Sequence, residues 1–538
     1  MGKWYQEGAV YQIYPRSFKD GNGDGIGDLI GIIEKLDYIK SLGVKTIWLS
    51  PVYKSPLFDF GYDISDYYDI HEDYGTLDDF KKLIDEVHKR DMKLIMDLVV
   101  NHTSNEHYWF KEACKSKDNK YHDFYLWKDK PNNWTSLFGG KAWTYNERTN
   151  EYYLHLFAKE QPDLNWENPE VRNEVKKILR YWLDLGVDGF RCDVINLISK
   201  TPGLPNGKPK IALVGSEHYL NGPNVHKYLQ EIKEEVFVHY DSFTVGECIF
   251  LKPEIALTYI ENEKELNMVF QFDHMAADNF LKWFIRKFST VRLKKALTKW
   301  QYKINGRGWN TLYFENHDQP RSVTRFGNEN YHYESATMLA TYLYFQQGTP
   351  FIYQGQEIGM TNAHFTKLEQ YKDIETFNIY KIGRKFFSHK NMMRRIKKMS
   401  RDNARTPMQW DNSDFAGFSN KEPWIEVNPN HKEINVERDL EKSNSIIKYY
   451  RKILGLRKEY QTIIYGSYKE YYPNKKNYIC YERVGENDKF LIICNFSEKT
   501  KKLKAPFNLE GFKLLLTNYN NEDNLLKPYE ARVYYKEG

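Results

Sequence analysis

The feature that most constrains this 538-residue chain is a repeated alternation of short, almost continuously apolar runs with longer segments of helical period. The strand-like runs are Val10–Pro15, Thr46–Pro51, Lys93–Val100, Gly189–Val194, Ser242–Glu247, Met268–Phe272, Thr311–Phe314 and Pro350–Gln354. Helical patterns at Leu29–Leu42, Leu77–His88, Val171–Leu185, Val225–Tyr240 and Glu334–Gln346 fall between them. Runs that are apolar on both faces are strands covered by helices on both sides. Eight of them predict an α/β chain folded as a closed (β/α)8 TIM barrel. A long doubly wound sheet is the other option, but no glycine-rich dinucleotide fingerprint follows the first strand.

Two interruptions break the alternation. Residues 103–168 are rich in Trp, Tyr, Phe, Asn and Lys, too long for a βα loop of roughly 2–6 residues. They read as an inserted B domain over the carboxyl-end mouth, splitting the barrel into residues 1–102 and 169–465. A polar insertion at about 361–424 follows strand eight, and Ser445–Arg457 reads as the last barrel helix. Short alternating runs across residues 466–538 predict a C-terminal antiparallel β-domain.

Composition removes several classes of function. Lys and Arg number 78 against 73 Asp and Glu, and a net charge of +5 is too small for a protein built around nucleic acid. No apolar run is long enough to cross a membrane. Cys114, Cys192, Cys248, Cys480 and Cys494 are scattered, odd in number and without metal-site spacing, as expected of inert thiols in a reducing compartment. Met1–Glu7 has no apolar leader region, so a cytoplasmic protein is expected, acting as a monomer.

In a barrel of this type the chemistry sits at the carboxyl ends of the strands. Asn101 and His102 follow strand three, Arg191 and Asp193 end strand four, Glu247 ends strand five, and Asn316, His317 and Asp318 follow strand seven. Convergent carboxylates with cationic and imidazole neighbours mean either a divalent-metal site or acid/base and nucleophilic work on a sugar. For the second, one carboxyl must stay protonated and another ionised. Arg191, on the same strand face as Asp193, makes Asp193 the better nucleophile, and Glu247, preceded by Phe243 and Val245, the better acid. Tyr62, Trp48, Phe138 and Phe157 are rings of the kind that stack on pyranose faces.

Gly189-Phe190-Arg191-Cys192-Asp193 resembles the nucleophile motif of the alpha-amylase family of glycoside hydrolases. Asp97-Leu98-Val99-Val100-Asn101-His102, Val245-Gly246-Glu247 and Asn316-His317-Asp318-Gln319 resemble its other three signatures, in order. The resemblance runs from Tyr11-Gln12-Ile13-Tyr14-Pro15 to the terminal β-domain and implies a retaining double displacement. Asp193 would be the nucleophile, Glu247 the general acid/base, and Asp318 the group that grips the sugar hydroxyls and helps distort the ring. His102, Arg191 and His317 match positions that bind the same sugar.

Gln161-Pro162-Asp163-Leu164-Asn165 and Arg401-Asp402-Asn403-Ala404-Arg405-Thr406-Pro407-Met408-Gln409-Trp410 resemble markers of the oligo-1,6-glucosidase subfamily. Such relatives act from the non-reducing end, where an Asp–Arg pair closes the pocket. Here that pair would be Asp63 and Arg401, with Arg405 the competing arginine and Tyr62 stacking on the ring. Val194 after the nucleophile goes, in the resembled group, with α-1,6 linkages. The implied activity is therefore an exo-acting α-glucosidase releasing terminal α-1,6-linked glucose from isomaltose and short isomalto-oligosaccharides. Trehalose-6-phosphate hydrolase and sucrose isomerase share this chemistry. A non-catalytic amylase-like partner protein would lack the carboxylates. Departures from the family pattern are Phe60 at the pocket rim, Cys192, and Glu315 before Asn316.

Asp20-Gly21-Asn22-Gly23-Asp24-Gly25-Ile26-Gly27-Asp28 alternates oxygen side chains with glycines, a loop able to wrap a hard cation. It resembles the start of an EF-hand loop and the calcium or magnesium loop of the subfamily. Asp20, Asn22, Asp24, Asp28 and the Ile26 carbonyl would ligate a structural Ca2+, with Mg2+ as the alternative; the chemistry itself would need no cofactor.

Overall fold

The computed structural model describes residues 2–520 and 523–538; Met1, which opens the N-terminal stretch read above, lies outside the described residues. Eight strands form the barrel: β1 Val10–Ile13, β2 Thr46–Leu49, β3 Lys93–Leu98, β4 Gly189–Cys192, β5 Phe243–Glu247, β6 Met268–Phe270, β7 Thr311–Leu312 and β8 Thr349–Tyr353. They lie in the order β6-β5-β4-β3-β2-β1-β8-β7, and every pairing is parallel. A single parallel bridge, Val269 to Asn310, closes β6 onto β7. The expected TIM barrel is therefore the observed fold. β7 is two residues long where four were expected, because Tyr313 leaves the ladder. Its hydroxyl reaches across to the Gln271 carbonyl (2.7 Å).

Local signals explain why the elements start and stop. Helix Leu77–Lys89 opens on a capping box in which Thr76 and Asp79 satisfy each other's backbone N–H groups, and it buries Phe80, Leu83, Ile84 and Val87. Helix Pro169–Leu185 has Asn168 as its cap, Pro169 in its first turn and Gly186 at its end in the left-handed region (φ 110°). It buries Val171, Val175, Ile178, Leu179 and Trp182 against the barrel.

Within residues 103–168, Trp127–Lys128, Trp143–Asn146 and Glu151–Leu154 make a three-stranded antiparallel sheet. Trp134, Trp143, Leu154 and Leu156 of this segment share an apolar cluster with Val194, Leu197, Leu204 and Tyr219, which follow β4. The insertion is thus packed on the loop that leaves the predicted nucleophile. After β8, helices Ile374–Gly383, His389–Met399 and Asp402–Arg405 form the second excursion. Beyond residue 466, Ser467–Tyr471, Tyr478–Val484, Asp488–Asn495, Ala531–Glu537 and Lys513–Thr517 lie side by side in an antiparallel sheet. Among the described residues no helix is long and apolar enough to cross a membrane.

Gly189 opens β4 with φ 146°, and a Cβ placed there would stand 1.9 Å from the Phe243 carbonyl oxygen of β5. Only glycine lets the two strands that lead to Asp193 and Glu247 meet at this point. Gly189→Ala is expected to destabilise the fold by more than about 1 kcal/mol, read as a lowered urea midpoint.

Candidate active site

The site is organised by one guanidinium. Arg191, on β4 and fully buried, directs Nη1 to Asp97 Oδ1 and Asp193 Oδ1 (2.5 Å each) and Nη2 to Glu247 Oε2 (2.5 Å). Those carboxylates come from β3, the end of β4 and the end of β5. The guanidinium also lies over the rings of Trp48 (5.4 Å) and Tyr62 (5.8 Å). Asp193 and Glu247 are thus bridged by one guanidinium.

Burial raises all three carboxyls and Arg191 opposes it. Asp97 and Asp193 are pushed up to about 6. Glu247 is pushed up to about 7, with Asp193 and Asp318 adding repulsion. The expected order therefore holds, with Glu247 the more readily protonated of the pair. The expectation that Arg191 would hold Asp193 low does not, because its charge is divided among three carboxylates in a dry site. Asp318 behaves differently. Burial raises it, but His317 (Nε2 at 3.1 Å), Arg401 (3.4 Å) and Arg405 (2.8 Å) outweigh that and hold it well below the usual carboxylate range.

The other predicted residues gather at the same mouth. The ring of Tyr62 lies parallel to that of His317 (5.4 Å) and its hydroxyl meets His317 Nε2 at 2.7 Å. His102 Nε2 sits 3.0 Å from the Tyr62 carbonyl. Gln161 Nε2 donates to that carbonyl and to Asp59 Oδ2, both at 3.2 Å. Phe157 packs against His102 (5.1 Å) and Phe138 (5.4 Å), and Phe138 lies under the Arg401 guanidinium (5.3 Å). Trp48, expected as a stacking ring, is 2% exposed and serves instead as a floor, donating to Asp97 Oδ2 (2.8 Å).

The Asp63–Arg401 pair is not formed. Asp63 is fully buried, and its carboxylate is engaged by Ser55 Oγ and the backbone N–H groups of Phe58 and Asp59. It closes its own turn. Asp59 takes the expected place, 2.9 Å from Arg401 Nη2. Arg401 is gripped still closer by Asp373 (2.6 Å), which caps helix Ile374–Gly383. Both candidate arginines, Arg401 and Arg405, reach Asp318.

Sequence reasoning left Asp97, Asp59, Asp373 and Lys200 without roles. Asp97 could have been found from its place two residues before Val99 and four before Asn101, on one strand face. Lys200 is fully buried, with its ammonium on Asp163 Oδ2 (2.8 Å) and Asn101 Oδ1 (2.9 Å). It is an internal cation that fixes the end of β3 beside His102. Val194 is left-handed (φ 35°, ψ 39°), a strained conformation for a β-branched residue, and packs against the insertion.

The acidic loop is held by its own amides. Asp20 accepts from Gly23 and Gly25 N–H and from Ser419 Oγ. Asn22 Oδ1 accepts from Asp24 N–H, Asp24 Oδ1 from Ile26 N–H. Asp28 accepts from Gly21 and Asn22 N–H and caps the helix Leu29–Glu34 through Gly31 N–H. Among the described residues no group of three or more Asp, Glu, His or Cys side chains is gathered to hold a metal. The donor set is nevertheless all oxygen, and Asp24 Oδ1 and Asp28 Oδ1 each take a single N–H bond and keep a lone pair.

A (β/α)8 barrel whose mouth holds a proton-bearing carboxyl beside an ionised one is equipped as a glycoside hydrolase. Residues 12–466 match the family described as alpha amylase, catalytic domain. The chain belongs to the alpha-amylase family. It is 53% identical to the oligo-1,6-glucosidase of Parageobacillus thermoglucosidasius over 99% of this chain and 98% of that one. Among solved structures it is similar to a trehalose-6-phosphate hydrolase of Bacillus licheniformis, 46% identical, with a TM-score of 0.95, covering 99% of this chain and 100% of that one. It is also similar to an isomaltulose synthase mutant of Erwinia rhapontici solved with sucrose, 38% identical, with a TM-score of 0.96, covering 99% of each chain.

The pH dependence follows from the two carboxyls. A nucleophile must be ionised, so kcat/KM should fall as pH drops through about 6, the value for Asp193. An acid must carry its proton, so kcat/KM should fall as pH rises through about 7, the value for Glu247. Glu247→Gln should lose the alkaline limb while keeping the first step on α-glucosyl fluoride, whose leaving group needs no proton, so that a burst of fluoride is followed by slow release of glucose.

Proposed function

We propose that the enzyme is a retaining, exo-acting α-glucosidase that releases terminal α-1,6-linked glucose from isomaltose and short isomalto-oligosaccharides. The observation that carries this reading is the sharing of Arg191 by Asp193 and Glu247. A single guanidinium bridging the two carboxyls supports the short separation that direct attack on the anomeric carbon needs, whereas an inverting enzyme separates them by roughly 6.5–9.5 Å to admit a water. Asp193 attacks the anomeric carbon as Glu247 protonates the departing oxygen. Glu247, now ionised, then takes a proton from the water that releases glucose. Asp318, ionised at neutral pH, is suited to charge-assisted bonds with the sugar hydroxyls.

The Asp59–Arg401–Asp373 array supports exo action, since an Asp–Arg pair is what closes the pocket in the resembled subfamily. Charge balance favours an unphosphorylated sugar. Arg191, Arg401 and Arg405 all face carboxylates, and none is left over for a phosphate. The name of the Parageobacillus relative supports the α-1,6 preference. The enzyme is further proposed to be cytoplasmic, which its five free cysteines support, and to act as a monomer.

Glucose release from isomaltose and panose should exceed that from maltose, trehalose 6-phosphate and sucrose by at least tenfold in kcat/KM. Asp193→Asn should fold normally and lose at least a thousandfold in kcat, with a slow-substrate trap failing to label it. Isomaltulose as the main product from sucrose, or a preference for trehalose 6-phosphate, would redirect the assignment within the family.

The loop Asp20–Asp28 is proposed to take Ca2+ or Mg2+ on Asp20, Asn22, Asp24, Asp28 and the Ile26 carbonyl, stabilising the first βα loop without a part in the chemistry. Excess Ca2+ should raise the melting temperature and a chelator lower it, with kcat at 25 °C unchanged; Asp24→Ala should abolish the response.

A further inference from the structure

The chain from Glu315 to Ser322 is a loop whose two ends are joined beneath its tip. Asp318 stands at that tip, three residues from Glu315 on one side and three from Arg321 on the other. Glu315 and Arg321 are buried, 2% and 0% exposed, and pair through Oε2 and Nη1 at 3.0 Å. The second oxygen of Glu315 accepts from Ser322 Oγ (2.6 Å) and Ser322 N–H (3.2 Å), so the neck is tied three times. At the tip, Asn316 Oδ1 accepts from Asp318 N–H (2.8 Å).

Arg321 does more than close the neck. It donates to the Gln354 carbonyl (2.7 Å), just past β8, and to the Ala404 carbonyl (3.3 Å). Its guanidinium lies over Tyr353 (4.9 Å), whose hydroxyl donates to the same Ala404 carbonyl (2.9 Å). The next residue, Arg405, binds both Asp318 Oδ1 (2.8 Å) and the His317 carbonyl (3.0 Å). One buried ion pair thus fixes the loop that carries Asp318 and the segment that carries its cationic partner.

We infer that Glu315 and Arg321 are positioning residues that set Asp318, and through Ala404 the opposing Arg405, for their action on the bound sugar. The inference rests on the reading of Asp318 as the group that grips the distorted sugar ring. A carboxylate acting on a transition state tolerates little displacement: a misplacement of about 1 Å can cost on the order of a hundredfold in rate. Breaking a neck made of one charge pair and one capped turn moves the tip without removing any group that touches substrate.

The test is Glu315→Gln, which keeps size and loses charge, assayed on isomaltose with folding checked by circular dichroism. The expected result is a kcat at least tenfold lower with KM within about twofold. Affinity for a cationic transition-state mimic such as 1-deoxynojirimycin should fall with kcat, while affinity for glucose stays. Arg321→Lys keeps the charge but not the two-pronged geometry, and should show the same pattern more weakly. A folded Glu315→Gln enzyme with unchanged kcat and a lower melting temperature would overturn the inference, leaving the pair a stabilising contact alone. If neither variant folds, the pair serves the fold, and the inference fails as well. Failure of the underlying glucosidase reading is distinguishable, since the wild-type enzyme would then release no glucose from any α-glucoside.

Discussion

The site depends on a single buried cation held among three carboxylates. Removing Arg191 would leave Asp97, Asp193 and Glu247 facing one another in a water-poor cavity, and like charges so placed cannot all ionise. With Arg191 present, the three share roughly one positive charge, which offsets part of the burial that raises them and leaves them near 6 to 7. Two carboxyls that differ by about one step, one near 6 and one near 7, are what acid and nucleophile roles demand of the same pocket.

A second electrostatic centre sits opposite. Asp318 faces two guanidinium groups and an imidazole, and Arg401 in turn answers to Asp59 and Asp373. The two halves differ in the ratio of cations to carboxylates, one guanidinium to three on the Arg191 side against two guanidinium groups to Asp318, Asp59 and Asp373 on the other. That difference keeps one side able to trade protons and the other permanently charged. It is built from strands on one side and from loops and the excursion after β8 on the other.

Much of this was legible in the sequence. The eight apolar runs marked the barrel because parallel strands are buried on both faces, and the acidic residues at their ends marked the mouth. Four short motifs then fixed Asp193, Glu247 and Asp318. Partnerships across loops were not legible. Asp59 and Asp63 lie four residues apart in one turn, and which of them faces Arg401 depends on where the turn's own N–H groups point. Asp373 and Lys200 act across more than twenty residues of sequence, where spacing carries no information. Trp48 was expected to meet sugar; burial placed it under Arg191.

The barrel's closure has a consequence of its own. Elsewhere its staves share continuous ladders, but β6 and β7 meet through one backbone bridge, supported by Tyr313 bonded to Gln271 and to the His274 ring. Amide protection is lowest where backbone pairing is sparsest, so this seam is where the cylinder breathes first. The arm bearing Asp318 is mounted on its edge. Compliance there would let the pocket's grip on the ring be retuned between relatives by substitutions along the seam, with the Arg191 cluster across the barrel left untouched.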